Sequence, residues 1–168
     1  QYRVFLSSTA SGCEDIFSTI ITVDVTPDIA ITSPPVGTDI CSGGSHTMTV
    51  AANGSPGLQC HWEIYSSGIW VPISGATAST YIAGPLTSTT EYRVFVYANQ
   101  SGCEDVYSSP VTVTVFPDIN ISAQPVGGAI CTGGDFNLTV TASGSPDIHY
   151  QWQSYNGTSW SVVGAESP

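Results

Sequence analysis

The chain has 168 residues, of which only 9% are charged, and its two cationic side chains are Arg3 and Arg93. A net charge of −11 without any lysine excludes nucleic acid binding and attachment to anionic membranes, because both need clustered cations. No run of 18 apolar residues is present, so no membrane insertion is expected, and the excess of Val, Ile, Thr and Tyr over helix formers predicts an all-β protein.

Alternation of apolar and polar residues predicts the strands of the central region. In chain order they are Thr47–Ala52, Gln59–Tyr65, Glu91–Tyr97 and Ser109–Val115. The inward faces of these strands supply the predicted core, with Val50, Trp62, Tyr92 and Val94 at its centre. The opposite parity turns Tyr65, Phe95 and Tyr97 outward, and exposed aromatic side chains often mark a contact surface for a partner.

A repeat of 90 residues organises the chain. Residues 1–26 match residues 91–116 at 13 of 26 positions, and residues 27–70 match residues 117–160 at 20 of 44 positions. Such a period corresponds to one small β-domain, and short proline-containing junctions separate the copies. We therefore predict one complete repeat over 27–116, the C-terminal strands of a preceding repeat over 1–26, and the N-terminal strands of a following repeat over 117–168. Two repeats are then a candidate repeating unit of a longer polymer or filament.

The repeat resembles an immunoglobulin-like β-sandwich. Its opening, PDIAITSPPVGTDICSGGSHTMTVAANGSP, resembles strands A, A′ and B, and Trp62 resembles the core tryptophan of strand C. EYRVFVYANQSG resembles strand F and the F–G turn, with Tyr92 at the tyrosine-corner position. The resemblance implies tandem immunoglobulin-like repeats of about 90 residues. Residues 1–26 are then strands F and G, and residues 117–168 are strands A to C′. Val50 and Val94 replace the family's disulfide.

A narrower resemblance is to the immunoglobulin-like repeats of giant secreted surface proteins of Bacteroidota. It rests on the ICSGG and ICTGG runs before strand B, YQW in strand C, TTEYRV in strand F and the GC turn. This resemblance implies an extracellular, cell-surface location reached by type IX secretion, and a role in adhesion, gliding or filaments. Neighbouring repeats of the same protein are then the expected partners, and glycans or host surfaces are further candidates.

Four cysteines occupy two positions of the repeat and are the disulfide candidates. They are Cys13 and Cys103 at the F–G turn, and Cys41 and Cys131 before strand B. One alternative bonds the strand-B cysteine of one repeat to the F–G cysteine of the next, and the other bonds Cys41 to Cys103 inside one repeat. The fifth cysteine, Cys60, shares parity with Trp62, and we interpret it as a buried free thiol.

Two further kinds of site are suggested by composition. All five asparagines lie in glycosylation sequons, namely Asn53, Asn99, Asn120, Asn137 and Asn156. Acidic residues gather near the predicted F–G end of the repeat, where Asp28, Glu104 and Asp105 are weak candidates for calcium ligands. No other cofactor is indicated.

Catalytic motifs are missing from the sequence, and the aligned parts of the repeats do not share a histidine position. We therefore expect a non-enzymatic protein, a structural or adhesive repeat region of a large extracellular surface protein. The alternative is a spacer or carbohydrate-binding module of a secreted polysaccharide-degrading enzyme. That alternative needs a surface aromatic platform common to the repeats, for which Trp70 and Trp160 are the candidates.

Overall fold

The computed structural model describes residues 1–99 and 102–167, and every regular element in them is a β-strand. The flanking segment 1–26 contains β1 (Phe5–Leu6) and β2 (Ile16–Phe17). The central repeat contains β3 (Ala30–Ser33), β4 (Thr38–Cys41), β5 (His46–Thr49), β6 (Ala51–Asn53), β7 (Leu58–Ser66), β8 (Ile69–Pro72), β9 (Thr80–Ala83), β10 (Thr90–Ala98), β11 (Val106–Tyr107) and β12 (Val111–Phe116). The second flanking segment contains β13 (Asn120–Ala123), β14 (Thr141–Ser143), β15 (Tyr150–Tyr155) and β16 (Trp160–Ser167).

The central repeat is a sandwich of two layers. One layer has the strand order β4-β12-β10-β7-β8, with β11 paired to the end of β10. The other layer is built from the pairs β3–β6 and β5–β9. All pairs are antiparallel except β4–β12, which is parallel over four residue pairs. This is the topology expected of an immunoglobulin-like domain, and it confirms the predicted all-β fold class.

The core lies between the two layers of residues 27–116. Trp62, Val94 and Val113 are fully buried, and Tyr92 and Val50 are 1% and 9% exposed. The indole N–H of Trp62 donates a hydrogen bond of 2.9 Å to the carbonyl oxygen of Ala78, so burial leaves this polar group satisfied. The alternating residues that define the core face of β7 and β10 are thus the residues that the sandwich encloses.

The flanking segments form hairpins without a closed core. β1 pairs with β2, β13 pairs with β14, and β15 pairs with β16. Trp152, at the repeat position of the buried Trp62, is 36% exposed. Each segment has therefore adopted the local structure of its part of the repeat while its inward side chains stay in contact with solvent. The domain boundaries at residues 26 and 117 agree with this description and stay a prediction.

A tight crossing of the backbone explains the GSP motif of both repeats. Gly54 has φ +120°, and a Cβ atom there would collide with the carbonyl oxygen of Asp28. Gly144 has φ +127°, and a Cβ atom there would collide with the carbonyl oxygen of Asp118. Only glycine can adopt this φ and also leave room for the neighbouring carbonyl oxygen. The backbone geometry therefore explains why glycine occurs at this position in both repeats.

Candidate functional site

An aromatic face covers the outer surface of the layer that contains β7 and β10. Side chains that alternate with the core residues supply it, together with residues of β8 and β11. Its members, here called the aromatic face, are His61, Tyr65, Trp70, Arg93, Phe95, Tyr97 and Tyr107. The three partner-face residues predicted from sequence, Tyr65, Phe95 and Tyr97, all lie in this group.

The rings of the aromatic face contact one another across the strands. The Phe95 ring lies 4.6 Å from Tyr107, 4.9 Å from His61 and 5.3 Å from Tyr97, measured between ring centroids. Tyr65 and Trp70 form a second pair at 5.1 Å. Cross-strand aromatic pairs of this kind stabilise a sheet and hold the rings in fixed positions. The rings of the aromatic face are thus held in place before any partner binds.

Arg93 joins the two groups of rings. Its guanidinium carbon lies 4.5 Å from the Trp70 ring centroid and 4.1 Å from that of Tyr107. Its Nε donates to Oε2 of Glu63 at 2.6 Å, and Glu63 is only 6% exposed. His61 lies at 3.3 Å from the other carboxylate oxygen of Glu63. Because a carboxylate buried under rings needs a cation, Arg93 both neutralises Glu63 and connects the strands.

Each flanking segment repeats one part of this arrangement: segment 1–26 has the stacked arginine, and segment 117–167 has the pair of aromatic rings. Arg3 lies 3.9 Å above the Phe17 ring, as Arg93 does above Tyr107. The rings of Tyr155 and Trp160 are 5.1 Å apart, as those of Tyr65 and Trp70 are. The aromatic pair required by the carbohydrate-binding alternative is therefore present in both repeats.

The cysteines at the repeat positions lie at opposite ends of the central domain. Cys41 is the register partner of Phe116, where β12 ends. Cys103 lies at the other end, with its Sγ 3.5 Å from the hydroxyl oxygen of Thr26. The path of β10 alone separates these ends by about 26 Å, whereas a disulfide needs Cα atoms within about 7 Å. A bond between Cys41 and Cys103 inside one repeat is therefore wrong for this fold. All five cysteines are free in this single chain.

Cys60 differs from the other four cysteines. Its thiol donates to the carbonyl oxygen of Thr77 at 3.5 Å, and it packs against the core. Desolvation by burial raises the pKa of the Cys60 thiol above its ordinary value. Since the thiolate is the reactive species, this cysteine is a poor nucleophile. The thiol is free, as interpreted from the sequence, but it is half-buried rather than buried.

The calcium candidates do not come together. Asp28, Glu104 and Asp105 are all exposed, and no group of three or more His, Cys, Asp or Glu side chains is arranged to hold a metal in the two described stretches of chain. The five sequon asparagines are exposed, and residues 100 and 101 of the Asn99 sequon lie outside the described residues. Calcium binding and glycosylation stay predictions.

Sequence patterns missed part of the aromatic face. Tyr107 lies on the two-residue strand β11, which is too short to show alternation. Arg93 showed the correct outward parity, but its position between two rings depends on strands that are distant in sequence. The recurrence of Arg3 opposite Phe17 at the same repeat positions was the signal available for both residues.

The architecture is that of tandem immunoglobulin-like domains, and solved structures agree. The chain is similar to Sidekick-1 immunoglobulin domains 1–5, with a TM-score of 0.56, 17% identity, and coverage of 85% of this chain and 33% of that one. It is also similar to extracellular domains 3–5 of Drosophila OTK, with a TM-score of 0.53, 14% identity, and coverage of 92% and 51%. It is similar as well to an I-band fragment of titin, with a TM-score of 0.52, 14% identity, and coverage of 82% of this chain and 48% of that one.

These likenesses establish the fold alone, and this chain spans about half or less of the length of those proteins. A family described as "Domain of unknown function (DUF8696)" matches residues 33–117, half of the chain, and the chain belongs to that family. No protein of curated function matches it. In the stretches that the structure describes, no helix is long and apolar enough to cross a membrane.

Proposed function

We propose that the chain is a load-bearing and adhesive stretch of a tandem array of immunoglobulin-like domains in a large extracellular surface protein. The observation that carries the proposal is the parallel pairing of β4, the second strand of the central repeat, with β12, its last strand. The bacterial surface array suggested by the sequence resemblance supplies the context for this role.

Tension along an array enters a domain at its two termini. β3 lies between the N-terminal linker and β4, so tension from that side reaches β4 through β3, and β12 directly precedes the C-terminal linker. Because β4 and β12 are parallel neighbours, this tension shears them past each other. The hydrogen bonds of the ladder then resist the load together, whereas a hairpin pulled at its open end yields one bond at a time. The linkers are short, since only residues 117–119 separate β12 from β13. Force therefore passes from one repeat to the next with little slack.

Single-molecule force spectroscopy on the chain, held at its two ends, tests this role. We expect one main rupture, after which the roughly 80 residues from Thr38 to Phe116 add about 270 Å of extended chain. The N–H of Ser42 donates to the carbonyl of Phe116, and alternation along the strand directs the N–H of Ile40 toward β12 as well.

A pair of proline variants gives the matched control. Ile40→Pro removes a ladder hydrogen bond and should lower the rupture force. Asp39→Pro places the same ring where the N–H points away from β12, and should lower the force much less. Equal rupture forces in the two variants and in the unmodified chain would show that the β4–β12 pair does not bear load.

Carbohydrate binding is a second candidate, favoured by the recurring pairs Tyr65–Trp70 and Tyr155–Trp160. Exposed aromatic rings held at fixed distances suit the apolar faces of sugars. Titration of the chain with soluble oligosaccharides, followed by tryptophan fluorescence, would detect such binding. Trp160→Ala should abolish most of the signal, because Trp160 is 66% exposed and Trp70 is partly covered by Arg93.

A further inference from the structure

The last residue of each repeat marks the junction with the next repeat. Thr26 ends the repeat that precedes the central domain, and Phe116 ends the central domain itself. These two residues lie one period apart, so they hold the same position of the repeat. The contacts made at Thr26 and at Phe116 are therefore two parts of one recurring junction, and a cysteine lies beside each residue.

One cysteine reaches the junction from the domain that follows it. The Sγ atom of Cys103, in the central domain, lies 3.5 Å from the hydroxyl oxygen of Thr26, in the preceding repeat. Cys103 is half-buried and packs against the domain core, which fixes its position. The F–G cysteine of a repeat thus contacts the side chain of the last residue of the repeat before it.

The other cysteine reaches the junction from the domain that precedes it. Cys41 is the register partner of Phe116 in the parallel β4–β12 ladder, and the N–H of Ser42 donates to the Phe116 carbonyl at 2.9 Å. Register partners on neighbouring strands lie about 4.8 Å apart and direct their side chains to the same face of the sheet. The exposed Cys41 thiol therefore lies beside the side chain of the last residue of its own repeat.

We propose that the strand-B cysteine of one repeat forms a disulfide with the F–G cysteine of the next repeat, at every junction of the array. Cys41 is then bonded to the F–G cysteine of the repeat that follows it, and Cys103 to the strand-B cysteine of the repeat that precedes it. The two thiols of such a pair flank one shared side chain, whereas Cys41 and Cys103 of one repeat lie at opposite ends of the domain. This inference rests on the tandem array of the proposed function.

The distribution of cysteines along the repeat supports this pairing. The F–G and strand-B cysteines both recur, so every full period supplies one thiol to each of its two junctions. Cys60 does not recur, since Tyr150 holds its position in the other repeat, and its thiol donates to the carbonyl oxygen of Thr77. Cys60 therefore serves as an internal control, a thiol that is expected to stay reduced.

Each bond forms by exchange with an external disulfide, such as glutathione disulfide or an oxidised thiol–disulfide oxidoreductase. The thiolate of one cysteine attacks the external disulfide and displaces one of its sulfurs as a thiol. The thiolate of the second cysteine then attacks the mixed disulfide and displaces the other sulfur. One Sγ–Sγ bond has formed, one external S–S bond has broken, and the two released thiols carry away two electrons and two protons. An exported protein meets such oxidants outside the reducing cytosol.

The disulfide adds a covalent route for force in parallel with the β4–β12 ladder. Force that enters through β3 and β4 then leaves the central domain at Cys41, directly into the next repeat, as well as at Phe116. Residues 42–116 lie off this covalent route. In force spectroscopy, unfolding of a domain in the oxidised array should therefore release far less chain than the about 270 Å expected after reduction.

Mass spectrometry of the full-length protein, purified without a reducing agent, tests the pairing. Iodoacetamide added in denaturant should label Cys60 and leave the cysteines at the two repeat positions unlabelled until reduction. Digestion before reduction should yield linked peptides that join an ICSGG or ICTGG segment to the SGCED segment of the following repeat. The residues that flank each SGCED segment identify the repeat from which it comes.

Variants of the full-length protein assign the partner of a single thiol. Cys41→Ser should expose one additional thiol to iodoacetamide before reduction, that of the F–G cysteine in the following repeat. The matched control Cys60→Ser should expose none, because Cys60 takes no part in a junction. Cys41 is exposed in the central domain, so its replacement by serine leaves the fold intact.

A second pair of variants tests the junction geometry in the 168-residue chain, which holds one cysteine of each of its two junctions. Thr26→Cys should form a disulfide with Cys103 in a glutathione redox buffer, because the two side chains are in contact. Thr22→Cys changes the same residue type four positions earlier and should not bond to Cys103. Peptide mapping without reduction distinguishes the two results.

Three results would overturn the inference: repeat-position cysteines that are alkylated without reduction, a linked peptide that joins Cys41 to Cys103 of the same repeat, or no bond between Thr26→Cys and Cys103. The rupture force of the 168-residue chain does not depend on the disulfide, because neither junction has both of its cysteines in that chain. A failure of the pairing therefore leaves the proposed load-bearing function standing, and a weak β4–β12 pair leaves the pairing intact.

Discussion

Glu63 is the most consequential single side chain of the aromatic face, because it is a carboxylate with only 6% exposure. Its two partners, Arg93 at 2.6 Å and His61 at 3.3 Å, supply the compensating hydrogen bonds. The other repeat has Gln153 at this position, so a neutral amide also fits beneath the rings.

We expect Arg93→Ala to destabilise the central domain by about 3 kcal/mol, since it leaves the Glu63 carboxylate buried and unpaired. Glu63→Gln should cost only about 1 kcal/mol, the value of one weakened hydrogen bond. The double variant should be more stable than Arg93→Ala alone, because no buried charge remains.

Urea denaturation of the four proteins, followed by tryptophan fluorescence, measures this double-mutant cycle. Additive losses in the double variant would contradict the role given to Arg93 and would indicate that it contributes only by packing.

At the scale of single elements, the turn that carries Gly54 decides whether β6 can pass beside the linker residue Asp28. Two glycines in this turn have positive φ, but only Gly54 lies against backbone atoms. Gly57 has φ +73°, and no atom lies within 4 Å of the position that a Cβ would take there. Substitution of Gly57 therefore tests the cost of the left-handed conformation alone, whereas substitution of Gly54 tests that cost together with a steric collision.

Gly57→Ala should cost about 1 kcal/mol, the penalty for a left-handed conformation. Gly54→Ala should cost clearly more, because it adds a collision with the carbonyl oxygen of Asp28 to that penalty. Thermal unfolding of the two variants, monitored by circular dichroism, gives the comparison. Equal losses of stability would remove the steric explanation of the GSP motif.

Strand alternation predicted the elements well where strands are long, as in β7 and β10, each nine residues. It did not predict that Tyr107 joins the aromatic face, because a two-residue strand has no period. It also left the cysteine pairing open, since sequence does not give the distance between the two ends of a sandwich. That distance depends on the pairing of β4 with Phe116 and on the contact of Cys103 with Thr26.

For the whole molecule, burial is very uneven. Within the described stretches, every buried hydrophobic residue lies between Ile29 and Val113, and the flanking segments are almost wholly exposed. Proteases cleave exposed backbone that opens easily, so sensitivity to cleavage reports this difference directly. Trypsin is unsuitable because the chain has only two basic residues, and a protease of broad specificity is required.

We expect limited subtilisin digestion of a dilute, reduced sample to trim both flanking segments and leave a core close to residues 27–116. Cleavage inside 27–116 at the same rate as in the flanks would contradict the predicted domain boundaries. Mass spectrometry of the surviving fragment identifies its ends.

The position of Arg93 between Trp70 and Tyr107 has an optical consequence. A tryptophan in water emits at longer wavelength than one covered by protein, and a guanidinium group stacked on its ring alters its emission. In the single chain Trp160 is 66% exposed, and Arg3 contacts the Phe17 ring of its own segment. The emission wavelength of Trp70 therefore reports its contact with Arg93, and a shift toward the emission of the exposed Trp160 reports the loss of that contact.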